Sequence, residues 1–420
     1  MRFQRETLTV EEAVLKLMEH ADVLETEEIS LSESFGRILA GSVVATEDLP
    51  PFDKSPLDGF AVRAIDTEQA LPDSPVALRV VETIGAGDVP SVTLSDGEAS
   101  RIMTGALIPP GADAVVMFEQ TVNPGQVAEY VHVKKKMSSL ENISRQGEEI
   151  KHGEPILIAG EKIGAGAIAA LATFGYSRVN VKKKPVVGIL CTGNEIVDVD
   201  QPLAPGKIRN SNGPMLYAMV MEAGGVPVKY TQLPDDEVSS KQAVDRIIEE
   251  VDILITTGGV SVGDFDMMAA IVEHPDVQLL FNRVAIRPGS PTSAAKYKGK
   301  MICALSGNPG ACFIGFELFV RPLIARMQGQ LTVPLNKVEA ILTEDYDRPC
   351  PYPRYLRGRI HTQEAVLYVT PDLNDKSGNL TTLNQCECFV IIPAGGRGKR
   401  AGEHVEIIPI HTPSWKLGGA

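Results

Sequence analysis

Short apolar runs that end in glycine-bearing polar loops set the texture of the middle of the chain. Asp252–Asp266 reads DILITTGGVSVGDFD: the run Ile253-Leu254-Ile255 stops at Thr-Thr-Gly-Gly, and a small-residue loop leads to Asp264 and Asp266. Pro185–Glu195 reads PVVGILCTGNE, and Met301–Ala311 reads MICALSGNPGA with Pro309 placed to open a helix. Apolar runs of this length, bounded by turn residues, predict strands of a parallel sheet buried on both faces. Between them, Ser211-Asn212-Gly213-Pro214 predicts a cap before an apolar helix around Leu216–Met221, closed by Gly224-Gly225. Val238–Glu250 reads as a further helix after Asp235-Asp236. The alternation predicts a doubly wound α/β domain from about Val179 to Gln328.

The flanks have other periods. Thr9 with Glu12 is a capping-box signature ahead of the amphipathic stretch Val10, Val14, Leu17, Met18. A second helix is expected from Ser32 through Phe35, Ile38 and Leu39. From Val43 to about Lys136 the pattern changes to short strand-like runs punctuated by proline and glycine, as in a compact β-rich domain. Helical character returns over Gly147–Tyr176, and Val338–Ile410 is strand-rich again.

A length of 420 residues exceeds one ordinary core and predicts several domains. The formal net charge of −14 argues against a nucleic-acid partner, because a phosphate backbone rewards a basic surface. The opening MRFQRETLTVEE has no apolar signal core, and no apolar stretch approaches membrane-span length; the run Ala311–Val320 carries Glu317. A soluble, cytoplasmic protein with no membrane partner is expected. Cys191, Cys303, Cys312, Cys350, Cys386 and Cys388 form no CxxC pair, which predicts reduced thiols, those of Cys191 and Cys303 in buried strands. Cys386 and Cys388 fit strand alternation better than a redox pair. Dispersed histidines without an HExxH spacing argue against zinc hydrolase chemistry.

Candidate chemistry gathers at the strand ends, where ligands of open α/β sheets bind. Glu195, Asp235, Asp264 and Asp266 all fall at strand-to-helix junctions. The small-residue loop leaves backbone N–H groups open to an anion, and its acids could hold a hard divalent cation beside that anion. Taken singly, the loop also fits a plain glycine-rich connection with solvated acids; its repetition on several loops favours a site. Gly164–Ala169 matches the GxGxxA dinucleotide fingerprint, but Lys182-Lys183-Lys184 stands where the ribose-binding acid is expected. A close-packed helix start is the better expectation for those glycines.

TGGVSVGDFD, together with PLDGFAVR (Pro56–Arg63) and RIMTGALIPPGADAVV (Arg101–Val116), resembles the molybdopterin molybdenumtransferase (MoeA) family, to which the C-terminal domain of gephyrin belongs. The resemblance runs from the first helix to about His411. It implies a multidomain α/β plus β fold. Residues 1–45 and 146–178 would form a discontinuous helical linker domain, and residues 46–145 an inserted β-rich domain. Residues 179–328 would form the molybdopterin-binding α/β domain and 329–411 a β-barrel-like domain, ahead of a tail at 412–420. It further implies an elongated homodimer with its active site in a cleft between subunits. The implied reaction inserts molybdenum from molybdate into adenylated molybdopterin, with Mg2+ and release of AMP.

Motif by motif, the resemblance makes Asp58 in PLDG, Thr104 in MTGA, Glu195 in TGNE, Asp235 in LPDD and Asp266 in GDFD the catalytic set. Asp58, Asp235 and Asp266 are assigned to Mg2+, which prefers oxygen ligands and bridges phosphates; Thr104 and Glu195 are assigned to the substrate. Gly258, Gly259, Ser261, Asp264, Asn308 and Pro309 are expected to contact the substrate. The family's KPGKP stands here as Arg287-Pro288-Gly289-Ser290-Pro291, and its LPGNP as Leu305-Ser306-Gly307-Asn308-Pro309. Arg287, Ser290 and Ser306, with Arg357 of Tyr355-Leu356-Arg357 and Ser377 of Lys376–Asn379, form the implied molybdate pocket. Ser144 stands where the family often has arginine. The related molybdopterin adenylyltransferase has a GGTG turn in place of GGVSVGDFD, and is a candidate partner rather than a match. A non-enzymatic scaffold is the reading from another class; acids kept at the site positions argue against it.

Overall fold

The computed structural model of the chain describes residues 7–122, 128–193, 195–230, 237–258, 276–331 and 335–410, with 237–241 described by backbone alone. The expected tail at 412–420 lies outside the described residues. The chain divides into two compact units: an insert unit of Ser42–Ala159 and Ala165–Ser177, and a main unit of Met1–Gly41, Gly160–Gly164 and Arg178–Ala420.

In the insert unit, β1 (Gly59–Val62), β2 (Val76–Ile84), β3 (Glu98–Ile102), β4 (Ala114–Met117) and β5 (Tyr130–Val133) form one sheet in the order β4-β1-β3-β2-β5. β1 is buried along its whole length, as its unbroken GFAV sequence requires of a strand paired on both sides. Phe60, Val62, Leu78, Val116, Val131 and Val133 share its core, with Phe118 set edge-on to Phe60 at 5.4 Å. Asp58 precedes β1 and Thr104 follows β3, so the antiparallel pairing of Gly59 with Ile102 brings both to one end of the sheet.

Helical content over 147–176 is less than its composition suggests. Only α1 (Ala165–Thr173) forms, while Pro155–Leu157 is a strand paired to Val43–Val44. Gly164 and Gly166 do begin a helix, but nothing lies within 4 Å of a Cβ built at either, so close packing does not explain them. The helix expected from Ser32 to Leu39 is also absent: a single 3-10 turn covers Leu31–Glu33. Gly36 adopts φ +76°, and Ile38 and Leu39 bridge to Lys162 and Val181 instead.

The main unit opens with the helix Val10–His20, where Thr9 and Glu12 make the full capping box. It buries Val10, Ala13, Val14 and Leu17 in the α/β core. That core surrounds a six-stranded sheet. In chain order its elements are β6 (Val186–Cys191), α2 (Asn212–Glu222), β7 (Val226–Tyr230), α3 (Glu237–Glu250), β8 (Ile253–Thr257), β9 (Val277–Phe281), β10 (Ser293–Tyr297) and β11 (Lys300–Leu305). The strand order is β7-β6-β8-β11-β10-β9. The first four are parallel, and β10 and β9 add an antiparallel edge. β8 is buried at every position, which is why its sequence runs apolar without alternation. After β11, α4 (Pro309–Gly315) starts with proline at its first turn and continues through a π-helical turn, Phe316–Val320, into α5 (Arg321–Met327).

β12 (Val338–Leu342), β13 (Arg354–Gln363), β14 (Val366–Pro371), β15 (Cys388–Ile392) and β16 (His404–Pro409) close into a barrel in the order β12-β14-β13-β15-β16. β15 is buried on both faces. Cys388, Val390 and Ile392 fill the barrel interior, while Phe389 and Ile391 belong to the α/β core. Phe389 meets Phe313 of α4 edge-on at 6.1 Å. The barrel and the sheet domain therefore share apolar packing. The strand alternation expected for Cys386 and Cys388 does not hold: Cys386 ends the Leu383–Gln385 turn before the strand and packs in the α/β core, whereas Cys388 faces the barrel interior.

Candidate functional site

The carboxyl ends of the adjacent parallel strands β6, β8 and β11 open onto a cleft of about 590 Å³. Thr192 extends β6 and donates from N to the Thr257 carbonyl at 2.9 Å. Gly258, with φ +88°, turns the chain directly over it. A Cβ there would stand 2.3 Å from the Thr192 carbonyl oxygen, so both the conformation and the space require glycine. Asn212, at the start of α2, donates from Nδ2 to the Gly307 carbonyl at 2.8 Å, and Asn308 N donates to Ser306 Oγ at 3.2 Å. These bonds fix the Ser306–Pro309 turn, and the Ser306 hydroxyl has no acceptor among the described residues.

Arg287 lies on the loop between β9 and β10. Its backbone is tied at both ends to the barrel: Arg287 N donates to the Pro353 carbonyl at 3.0 Å, and Tyr355 N donates to the Arg287 carbonyl at 2.9 Å. Its side chain is exposed toward the cleft. Ser290, buried in the cleft wall, donates its hydroxyl proton to the Ile286 carbonyl at 2.5 Å. It therefore presents lone pairs, not a donor, to any ligand.

Glu195, Gly258, Arg287, Ser290, Ser306, Asn308 and Pro309 thus line one cleft. Arg357 and Ser377 stand behind its wall. Gly310 N donates to the Ser377 carbonyl at 2.8 Å, and Arg357 is only 4% exposed. The Arg357 guanidinium donates to the Asn379 and Asn374 carbonyls at 2.7 and 3.1 Å and pairs with Asp372 at 3.2 Å. Its observed work is to hold the loop that carries Ser377. Asp58 and Thr104 meet in the insert unit: Thr104 donates from N and Oγ1 to Asp58 Oδ1 at 2.7 and 2.8 Å. Those bonds, backbone first, and then the nearby Arg101 charge hold the Asp58 carboxyl below its ordinary range. Asp235, Gly259, Ser261, Asp264 and Asp266 lie outside the described residues.

Arg209, Asn210, Asn212 and Arg283 also line the cleft, and sequence patterning did not single out either arginine. Arg209 sits in a two-residue strand, Ile208–Arg209, paired with Ile196–Val197. Arg283 sits four residues before Arg287 in an irregular loop, where no periodicity marks it.

Among the described residues no group of three His, Cys, Asp or Glu side chains is placed to hold a metal. The cysteines are buried, and burial raises the Cys191 thiol and pushes those of Cys303 and Cys386 up to about 12. Asp58 fits a hard cation: both Thr104 bonds fall on Oδ1, and no described residue donates to Oδ2.

An arginine-lined cleft at the carboxyl edge of a mixed α/β sheet, in a unit completed by a closed β-barrel, marks a multidomain α/β plus β protein. Known families match in the same order along the chain. The MoeA N-terminal region (domain I and II) matches residues 8–175, the probable molybdopterin binding domain residues 188–326, and the MoeA C-terminal region (domain IV) residues 339–410. The chain belongs to the MoeA family. It is 44% identical over 408 residues to a molybdopterin molybdenumtransferase of Bacillus subtilis, covering 97% of this chain and 95% of that one. It is 42% identical to one of Staphylococcus epidermidis, covering 98% of each. A crystal structure of the molybdopterin biosynthesis MoeA protein of Pyrococcus horikoshii superposes with a TM-score of 0.82 at 32% identity, covering 96% of this chain and 99% of that one.

Proposed function

We propose that this chain transfers molybdenum from molybdate to adenylated molybdopterin with release of AMP, as a Mg2+-dependent cytoplasmic homodimer. The observation that carries the reading is the cleft, where Arg209, Arg283 and Arg287 line the carboxyl edge of the sheet with Glu195 as the carboxylate among its described lining residues. Guanidinium groups recognise oxyanions through paired charge-assisted bonds. Arg287 binds oxyanion oxygen, the Ser306 hydroxyl donates to it, and the glycine at 258 lets ligand approach backbone. Near-full-length identity to proteins named molybdopterin molybdenumtransferase supports the substrate class.

Asp58, Asp235 and Asp266 would hold Mg2+, which when bound neutralises phosphate charge and polarises its oxygens. Asp58 stays ionised to do so because Thr104 stabilises its carboxylate. The three successive family matches, at 8–175, 188–326 and 339–410, support a division into the four domains at 1–45 with 146–178, 46–145, 179–328 and 329–411. A molybdopterin adenylyltransferase, which makes the adenylated substrate, is the proposed protein partner; co-sedimentation with it at micromolar concentration tests that, and independent sedimentation rejects it. Among the described residues no helix is long and apolar enough to cross a membrane.

The test is AMP release from adenylated molybdopterin, titrated with molybdate and with Mg2+. AMP release that rises with both is expected. Release that ignores molybdate, or survives complete chelation, rejects the corresponding half of the reading. Light scattering showing an active monomer rejects the dimer.

A further inference from the structure

We propose that Asp375 is a positioning residue that ties together two walls of the cleft, the Arg287 loop and the Asn308–Gly310 start of α4; this rests on the functional reading above and adds no ligand contact to it. Asp375 follows β14, two residues before Ser377, and is not among the residues that line the cleft. Its side chain is buried, 7% exposed, and three donors converge on the carboxylate: Tyr346 Oη at 2.7 Å, Arg348 Nη1 at 2.8 Å and Arg354 Nη1 at 2.5 Å. A buried carboxylate met by two guanidinium groups and a phenol is a fixed point, because displacing it leaves charges unpaired away from water.

Two runs of bonds lead from this fixed point to the cleft. Arg354 opens β13, and its backbone bridges to Arg287 in parallel register. Arg354 Nε has no hydrogen-bond partner among the described residues, so Asp375 and the Tyr346 ring, whose centroid is 5.8 Å away, hold its guanidinium. In the other direction, the Ser377 carbonyl accepts from Gly310 N at 2.8 Å, directly after the cleft residues Asn308 and Pro309. A Cβ built on Gly310 would stand 2.9 Å from that carbonyl oxygen, so the loop and the head of α4 are in close contact. Arg357, further along β13, bonds the same loop on either side of Ser377, at the Asn374 and Asn379 carbonyls. Asp375 adds the link at the end of the strand that pairs with Arg287. One buried carboxylate thus helps to set the distance between the Arg287 loop and the turn that carries Ser306.

The experiment measures the molybdate requirement of AMP release, and equilibrium binding of molybdate alone, for the parent chain and for Asp375→Asn, Arg354→Gln and Arg348→Gln. Each is assayed well below its melting temperature, where nearly all of it is folded, so a role in stability alone moves neither reading. Asp375→Asn keeps the shape and removes the charge that gathers both guanidinium groups. It should raise KM and Kd for molybdate about fivefold or more, and lower kcat by less. Arg354→Gln should raise them by a similar factor, and the double variant by no more than the larger single effect, since both changes break one link. Arg348→Gln should leave both near the parent values, because Arg348 reaches Asp375 from the solvent side with 55% of its side chain exposed. If Asp375→Asn does not fold, Arg354→Gln, whose side chain is partly exposed, carries the same prediction. Folded variants with the parent's KM and Kd overturn the inference and leave the functional reading standing. A rise in Arg348→Gln equal to that in Asp375→Asn also overturns it, since the effect would then not follow the link to Arg287. A parent chain whose AMP release ignores molybdate fails the functional reading itself, and the inference with it.

Discussion

The cleft of the main unit is lined by the arginines Arg209, on a two-residue strand, and Arg283 and Arg287, on one loop, whereas the strand end of the insert unit presents a carboxylate, Asp58, held by Thr104. In the first, backbone bonds tie down the loops that carry the side chains. In the second, two donors from one residue hold a single carboxylate ionised. Under the proposed function the first would bind oxyanion and the second a cation. Neither includes a cysteine, and burial raises the thiols of Cys191, Cys303, Cys312, Cys386 and Cys388.

Removing the carboxylate should have the largest effect. Asp58→Ala is expected to abolish molybdate-dependent AMP release and leave the melting temperature close to that of the parent, since Asp58 is exposed and the Thr104 N–H it frees can bond water. A variant that turns over normally would remove Asp58 from the reaction. In the main unit, Gly258→Ala places a Cβ 2.3 Å from the Thr192 carbonyl oxygen in a left-handed conformation, and should cost about 1–3 kcal/mol of stability as well as ligand binding. An unchanged denaturation midpoint would show that the turn tolerates movement, and the contrast between an immobile cleft and an exposed carboxylate would weaken.

A smaller effect is expected from Thr104→Val, which deletes one of the two donors to Asp58. The carboxyl should titrate higher, part of the way back toward the ordinary aspartate value of about 3.9, with the backbone donor still in place. The sign follows from linkage. A depressed folded-state value contributes stability that is present above the unfolded value and lost as pH falls through the folded one. Thr104→Val should therefore shrink the acid-side loss of stability, below about pH 3.9, that Asp58 causes in the parent. Carboxyl NMR across that range measures it; an unmoved titration would mean the hydroxyl is not the cause.

Much of this was legible in the sequence because it follows from local chemistry. Unbroken apolar runs gave β6, β8 and β11, Thr9 and Glu12 gave the first helix, and glycine-bearing strand ends marked the cleft. What was not legible depends on distant partners. Leu31–Leu39 has helical composition, yet Gly36 and the bridges of Ile38 and Leu39 to remote segments override it. The antiparallel edge of β9 and β10 follows from tertiary pairing rather than from the apolar pattern. Arg357 reads as a basic residue of an anion pocket, and only the fold shows its guanidinium also bonded to the 372–379 loop. Arg283 carries no motif and becomes visible only as cleft lining stacked on Tyr352.

The central claim is that the main-unit cleft holds the oxyanion of the reaction, and Arg287 tests it most directly. Titrating molybdate against AMP release by the parent and by Arg287→Ala should show the variant needing about tenfold more molybdate or more, the loss of a charge-assisted contact worth roughly 1.5–3 kcal/mol. Its fold should be intact, because the bonds that tie Arg287 to Pro353 and Tyr355 are made by the backbone alone. A folded Arg287→Ala variant with the parent's molybdate requirement would place the oxyanion outside this cleft and contradict the account.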